Sequence, residues 1–255
     1  MNLLERTRIE KSAIDAGFDL TPELKGDWLC FRSTAFPLSI GVRANASNDY
    51  DVGLSDTHWA NKLATEAKLT TSQEGEGWAA RLNHVPSYES LHSLLIRAAG
   101  LAPAYSGSAL AEFVAAKAVP PSATEVERLV AQRIGQDVFR KALISYWQGK
   151  CAVTGLAVVP LLRASHIKPW AQCDSDAERL DVFNGLLLAP NLDALFDAGW
   201  VTFQDTGEIM IADELSAQDR MMLRLTGNEK IVGLSGKHGA YLQWHRDNHF
   251  RKSVS

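Results

Sequence analysis

Four side chains in this 255-residue chain have the types and order that phosphodiester hydrolysis uses: His166, Asn184, Asp193 and Asp197. That reaction takes a base to activate water, a cation to bear charge on the phosphate, and a fixed geometry between the two. A histidine near neutrality supplies the base. An asparagine carbonyl can hold the imidazole in the tautomer a base requires. Asp193 and Asp197 stand four residues apart, so on a helix they share one face. Two carboxylates on one face repel unless a cation lies between them, and hard oxygen ligands suit Mg²⁺ or Mn²⁺. Each residue also has an ordinary reading. A lone histidine is more often structural, Asn-Gly is usually only a turn, Asp193 could be a solvated helix residue, and Asp197 could cap the turn at Gly199.

The order of the four inside an apolar frame is what gives them weight. His166 closes Leu161-Leu-Arg-Ala-Ser-His-Ile-Lys-Pro-Trp170, which reads as a strand whose end turns the ring from an edge toward solvent. Asn184 opens Asn-Gly-Leu-Leu-Leu188, a turn entering a buried strand. The aspartates belong to a short helix ending at Ala198-Gly199.

These segments resemble the ββα-metal core of HNH nucleases, in the branch with a Ser-His-Ile-Lys-Pro-Trp strand end and a Leu-Phe-Asp-x-Gly helix, common among restriction endonucleases. The flanks resemble the same branch: Glu127 to Gln136, Phe139 to Trp147, Cys151-Ala-Val-Thr-Gly155, Tyr241 to Arg246, and Phe250. The resemblance implies that His166 activates water, that Asn184 is the middle asparagine, and that Asp193 fills the third position, often a histidine in the family. Many members carry a metal-binding Asp or His directly before the base. Ser165 stands there in this chain, which makes Asp197 the nearest second ligand. The resemblance further implies a metal-dependent DNA endonuclease of restriction type, acting on double-stranded DNA that could be modified, with Mg²⁺ or Mn²⁺. One ββα core cuts one strand, which implies a homodimer for a duplex break. Zinc-knuckle ligands, used by many HNH proteins to staple the core, are lacking, so no structural zinc is expected.

Composition sets bounds on the rest. With 46% hydrophobic residues the chain can build a proper core, as two small domains or one large one. No apolar run reaches eighteen residues and no apolar signal core is read, so neither a membrane span nor export is expected. Three separated cysteines, Cys30, Cys151 and Cys173, suit a reducing cytosol, and a cytoplasmic protein is expected. The net charge of −4 argues against a nonspecific protein that coats DNA and leaves affinity to local basic residues. Arg163 and Lys168 flank His166 and could hold a phosphate. Arg133, Arg140, His245, Arg246, Arg251 and Lys252 are weaker candidates, with a solvated surface as their ordinary reading.

The expected fold class is α+β: an HNH nuclease domain with helical flanks over 122–255, preceded by a mixed α/β domain over 1–119. The boundary is drawn at Pro120-Pro121, with Ser122-Ala-Thr-Glu125 as a capping box opening a long helix. In the first domain, helices are expected over 2–16 (core candidates Leu3, Leu4, Ile9 and Ile14), 57–69, 88–99 and 109–118. Strands are expected over 28–31 and 37–42, with 72–77 as loop. This domain resembles no recognised family and is expected to choose the DNA. Trp28, Tyr50, Trp59 and Trp78 could stack on a flipped base or could be packing. Two other functions stay open. A nuclease toxin with an immunity partner would carry a delivery segment and a strongly basic nuclease domain. A DNA-binding module without catalysis is allowed by Ser165 and Asp193.

Overall fold

A computed structural model describes residues 2–116 and 125–251. The chain divides into two compact units, Met1–Ser108 and Ala109–Ser255. The Pro120-Pro121 break, the first residues of the Ser122 cap, and Lys252 lie outside the described residues.

In the first unit α1 (Leu3–Ala16) is capped by the Asn2 side chain and stopped by Gly17 at φ 104°. Its buried face is Ile9, Ser12 and Ala13. Leu3, Leu4 and Ile14 are exposed, so only one of the four expected core positions points inward. The strands are β1 (Glu23–Lys25), β2 (Trp28–Phe31), β3 (Ile40–Ala44) and β4 (Tyr50–Leu54). Then come α2 (Thr57–Ala67), β5 (Thr70–Gly75), β6 (Trp78–Val85) and α3 (Tyr88–Tyr105). All six strands pair antiparallel in the order β1-β2-β3-β4-β6-β5. Register puts Leu29, Val42 and Val52 on one face with Leu82, and Phe31, Ile40, Leu54 and Ala80 beside them, all at most 1% exposed. α2 lies against β4, β5 and β6, α3 against α2, and α1 against α3.

The segment expected as a loop over 72–77 is the end of β5 and a two-residue turn, with Glu76 at φ 57° and Gly77 at φ 85°. Two positive φ angles make the hairpin turn that matches strand twist. Its polar residues mislead because β5 is an edge strand, paired only to β6. α3 runs past the expected end through Gly100 and Pro103, drawn on by the buried Leu101, Ala102 and Tyr105.

The four aromatic candidates for base stacking are all packed: Trp28, Tyr50, Trp59 and Trp78 expose 9% or less. Trp59 donates its indole N–H to the Ala98 carbonyl at 3.1 Å, tying α2 to α3. The Trp78 indole occupies the space that a Cβ on Gly41 or Gly53 would need. Trp28 donates to Glu76 at 2.8 Å and lies under the Arg43 guanidinium at 4.6 Å. They are packing residues of this unit.

The second unit contains α4 (Ser108–Ala116, from its second residue), α5 (Glu125–Tyr146), β7 (Arg163–His166), α6 (Asp176–Leu180), β8 (Gly185–Leu188) and α7 (Pro190–Asp197). It closes with β9 (Val201–Phe203), β10 (Ile209–Ile211), α8 (Ala217–Met222) and α9 (Gly239–Asn248). β7 and β8 form an antiparallel ribbon, with Ser165 opposite Leu186 and His166 opposite Gly185. α7 packs on β7 and β9, and α5 packs on both ribbon strands. Together β7, β8 and α7 make a ββα unit, and the chain is α+β. Gly185 is more than a turn residue, because a Cβ there would meet the Leu143 side chain at 2.9 Å. Its bareness lets α5 close on the ribbon. No helix among the described residues is long and apolar enough to cross a membrane.

Phe113 on α4 is 2% exposed, and a Cβ on Gly135 of α5 would lie 3.2 Å from its ring. A fragment beginning at Ala109 should therefore be more stable than one beginning at Ser122 by about 3 kcal/mol, the usual cost of losing one buried phenylalanine. Urea melts of the two fragments check this. Equal midpoints would place α4 outside the core of the second unit.

Candidate active site

His166 ends β7, and its ring is packed rather than turned to solvent. The imidazole stacks on Phe139 of α5 at 3.9 Å with a 12° interplanar angle, and meets Trp170 edge-on at 5.6 Å. Its Nε2–H donates to the Arg179 carbonyl at 2.8 Å. A carbonyl only accepts, so this contact fixes the proton on Nε2 in the neutral ring and leaves the Nδ1 lone pair available. Nδ1 has no protein hydrogen bond among the described residues. Burial pushes the pKa of His166 below the ordinary 6.5, opposed in part by the Arg179 carbonyl and by the negative charge of Asp197.

The tautomer contact expected of the Asn184 side chain is thus made by Arg179. Asn184 is fully buried and holds the loop instead. Its Oδ1 accepts from the Lys168 N–H at 2.8 Å, and its Nδ2 donates to the Lys168 carbonyl at 3.2 Å and the Glu178 carbonyl at 3.1 Å. Those bonds close the segment between β7 and β8, whose next residue is Arg179. The Arg179 side chain closes it again, donating to the carbonyls of Trp170 at 3.2 Å and Cys173 at 2.6 Å. Asn184 therefore bears on His166 through the loop it folds.

Asp193 and Asp197 lie on α7, four residues apart. Asp193 is half-buried, and desolvation raises its carboxyl pKa. The nearby Ser165 hydroxyl and the Arg163 charge pull the other way, and Asp197 raises it further. Asp197 is exposed. Its charge acts on both His166 and Asp193, so the three groups share one neighbourhood. Arg163 is exposed beside them.

Lys168 does not fit the phosphate role expected of it. The residue is 9% exposed, and its Nζ donates to Asp174 at 3.0 Å and Glu178 at 2.9 Å. Two carboxylates already neutralise it, and a phosphate would have to displace them. Several other basic candidates have structural partners. Arg140 donates to the carbonyls of Leu162 and Val159, Arg246 to Phe203 and Asp205, and Arg251 to Ala198. Arg133 is exposed.

Among the described residues, no group of three or more His, Cys, Asp or Glu side chains converges as a metal site. A hard cation does not require one. Mg²⁺ keeps several waters and commonly takes one or two carboxylates plus substrate phosphate. The chemistry of Asp193 and Asp197 fits that pattern, since the charge of Asp197 adds to the cost of ionising Asp193. Ser165, at the position preceding the base, is buried and favours the ionised form of Asp193. The sequence singled out neither that link nor the Arg179 carbonyl. The first needed the β7–α7 packing, and the second is a backbone group with no residue-type signal.

Residues 151–204, which span β7, β8, α7 and β9, match a family model described as HNH endonuclease. No curated protein matches the chain. Over residues 151–204 the second unit thus carries an HNH endonuclease domain, the domain of a nuclease. HNH nucleases generally use a divalent metal.

Two measurements follow from this geometry. Because burial dominates, His166 should titrate below the ordinary pH 6.5. A nitrogen-15 NMR titration should show it as the Nε2–H tautomer, and a midpoint above 6.5 would contradict the packed ring. Asn184→Ala removes the partner of the buried Lys168 N–H and a donor from each of the Lys168 and Glu178 carbonyls. It should cost about 2–4 kcal/mol in chemical denaturation and mix the tautomers of His166.

Proposed function

We propose that the chain is a metal-dependent DNA endonuclease of restriction type, with His166 as general base. The observation that carries this reading is the division of labour on one imidazole. Nε2 is committed to the Arg179 carbonyl, and Nδ1 is left open on a ring that feels the negative charge of Asp197. Nδ1 takes the proton from water as that water attacks the scissile phosphorus in line. A neutral ring is the competent form, and a lowered pKa keeps it competent below pH 6.5. Asp193 and Asp197 are the residues that would hold one divalent ion, Mg²⁺ or Mn²⁺. When bound, that ion supplies charge stabilisation on the phosphate and the leaving 3′-oxygen. Ser165 favours the ionised form of the Asp193 carboxylate. Exposed Arg163 is the side chain placed to meet a neighbouring phosphate. Products would carry 5′-phosphate.

One ββα core cuts one strand, so a duplex break calls for a homodimer. The first unit is proposed to choose the DNA, modified or not. Its four packed aromatics weaken the case that these particular rings grip a flipped base. A DNA-binding module without catalysis is the competing reading, favoured by the absence of a three-ligand cluster among the described residues.

Plasmid nicking separates the two. EDTA should stop cleavage, and added Mg²⁺ or Mn²⁺ should restore it. His166→Ala should lower the rate at least about a hundredfold with DNA binding retained. Asp193→Ala should weaken metal dependence more than Asp197→Ala, since the half-buried carboxylate is the more firmly held. Wild-type nicking by folded His166→Ala would remove the base assignment. Silence of both aspartate variants would remove the ligand assignment.

A further inference from the structure

Asp197 is the last residue of an eight-residue helix. It shares a face with Asp193 only while the final turn stays wound. Helix ends fray because their last carbonyls have no intrahelical donor, and a helix this short is marginal alone. The residues just past the helix supply donors to the Ala194, Leu195 and Phe196 carbonyls, and a distant segment of the chain adds donors to Phe196, Asp197 and the two carbonyls that follow. His245 donates Nε2–H to the Phe196 carbonyl at 3.1 Å, with its Nδ1 accepting from the Thr202 hydroxyl at 2.9 Å. His249 donates Nε2–H to the carbonyl of Asp197 itself. Arg251 donates Nε–H to the Ala198 carbonyl and its backbone N–H to the Gly199 carbonyl, each at 3.0 Å. Gly199, at φ +73°, admits this segment, because a Cβ there would collide with the His249 carbonyl. The helix therefore ends against donors that also complement the negative end of its dipole. None of them falls within the matched residues 151–204.

We propose that His249 is a positioning residue for the nuclease site. By holding the Asp197 carbonyl it keeps the last turn of α7 closed and the Asp197 carboxylate in register with Asp193 and His166. The inference rests on the reading of Asp193 and Asp197 as ion ligands. It extends the working site to the C-terminal helix and the residues after it.

The test titrates Mn²⁺ into the full chain, with free Mn²⁺ followed by electron paramagnetic resonance and plasmid nicking measured in parallel. His249→Ala should raise the half-saturating Mn²⁺ concentration about tenfold, the range for residues that orient a metal ligand. His249→Phe keeps a ring and removes the donor, so it should match His249→Ala. His249→Gln keeps a donor and should recover most of the affinity. In an Asp197→Ala background, His249→Ala should add nothing, because the two act through one group. A purely structural histidine would weaken both backgrounds alike and would not distinguish Phe from Gln. Wild-type Mn²⁺ affinity in His249→Ala and His249→Phe, or an undiminished effect in the Asp197→Ala background, overturns the role of His249 alone. Wild-type protein that binds no Mn²⁺ overturns the ligand reading, and this inference with it.

Discussion

An imidazole works as a base only when one nitrogen is held and the other is left open. In this chain that condition depends on a single hydrogen bond, from His166 Nε2–H to the Arg179 carbonyl. Much of the second unit can be traced to placing that carbonyl. Buried Asn184 closes the loop with three bonds to its backbone, and Lys168 bridges the Asp174 and Glu178 carboxylates that the loop brings together. The Arg179 side chain ties its own segment back to Trp170 and Cys173. Below the ring, Phe139 excludes water from one face, and bare Gly185 lets the helix carrying Phe139 come that close. The same burial lowers the proton affinity of the ring, so positioning and tuning have one cause.

The carboxylate side of the site follows a different logic. Asp193 sits in the first turn of α7, where the helix dipole favours negative charge, and the Ser165 hydroxyl reaches it from the adjacent strand. Asp197 sits at the other end, where the dipole is unfavourable and fraying is expected. The two ends are secured by different parts of the chain: β7 at the start, and α9 with the residues after it at the finish. His245 does its part from full burial, which pushes its pKa down to about 4 and keeps it neutral near pH 7.

The ββα path could be read in advance because its cues are local. Leu186, Leu187 and Leu188 mark a buried strand, Asn-Gly marks its entry, and Asp193 and Asp197 mark one helix face. Of the six strands of the first unit, only β2 and β3 were readable. Polar Thr70-Thr-Ser72 sits on an edge strand where water completes the environment, so its pattern resembles a loop. Leu3, Leu4 and Ile14 fit a helical core face by type, yet Ile9, Ser12 and Ala13 are the buried set. Which face of an amphipathic helix turns inward is set by its neighbours.

Residue identity and spacing by themselves determined the family of the second unit, the class α+β, and the candidates His166, Asn184, Asp193 and Asp197. Only the tertiary structure decided how they work together. The partner of His166 is a backbone carbonyl, which every residue has and no sequence pattern marks. Lys168 stands two residues from the base in sequence but is occupied by carboxylates six and ten residues on. His249 stands 52 residues from the carbonyl it caps. Local patterns record what each segment tends to form. Hydrogen bonds between distant segments depend on distances that exist only after folding.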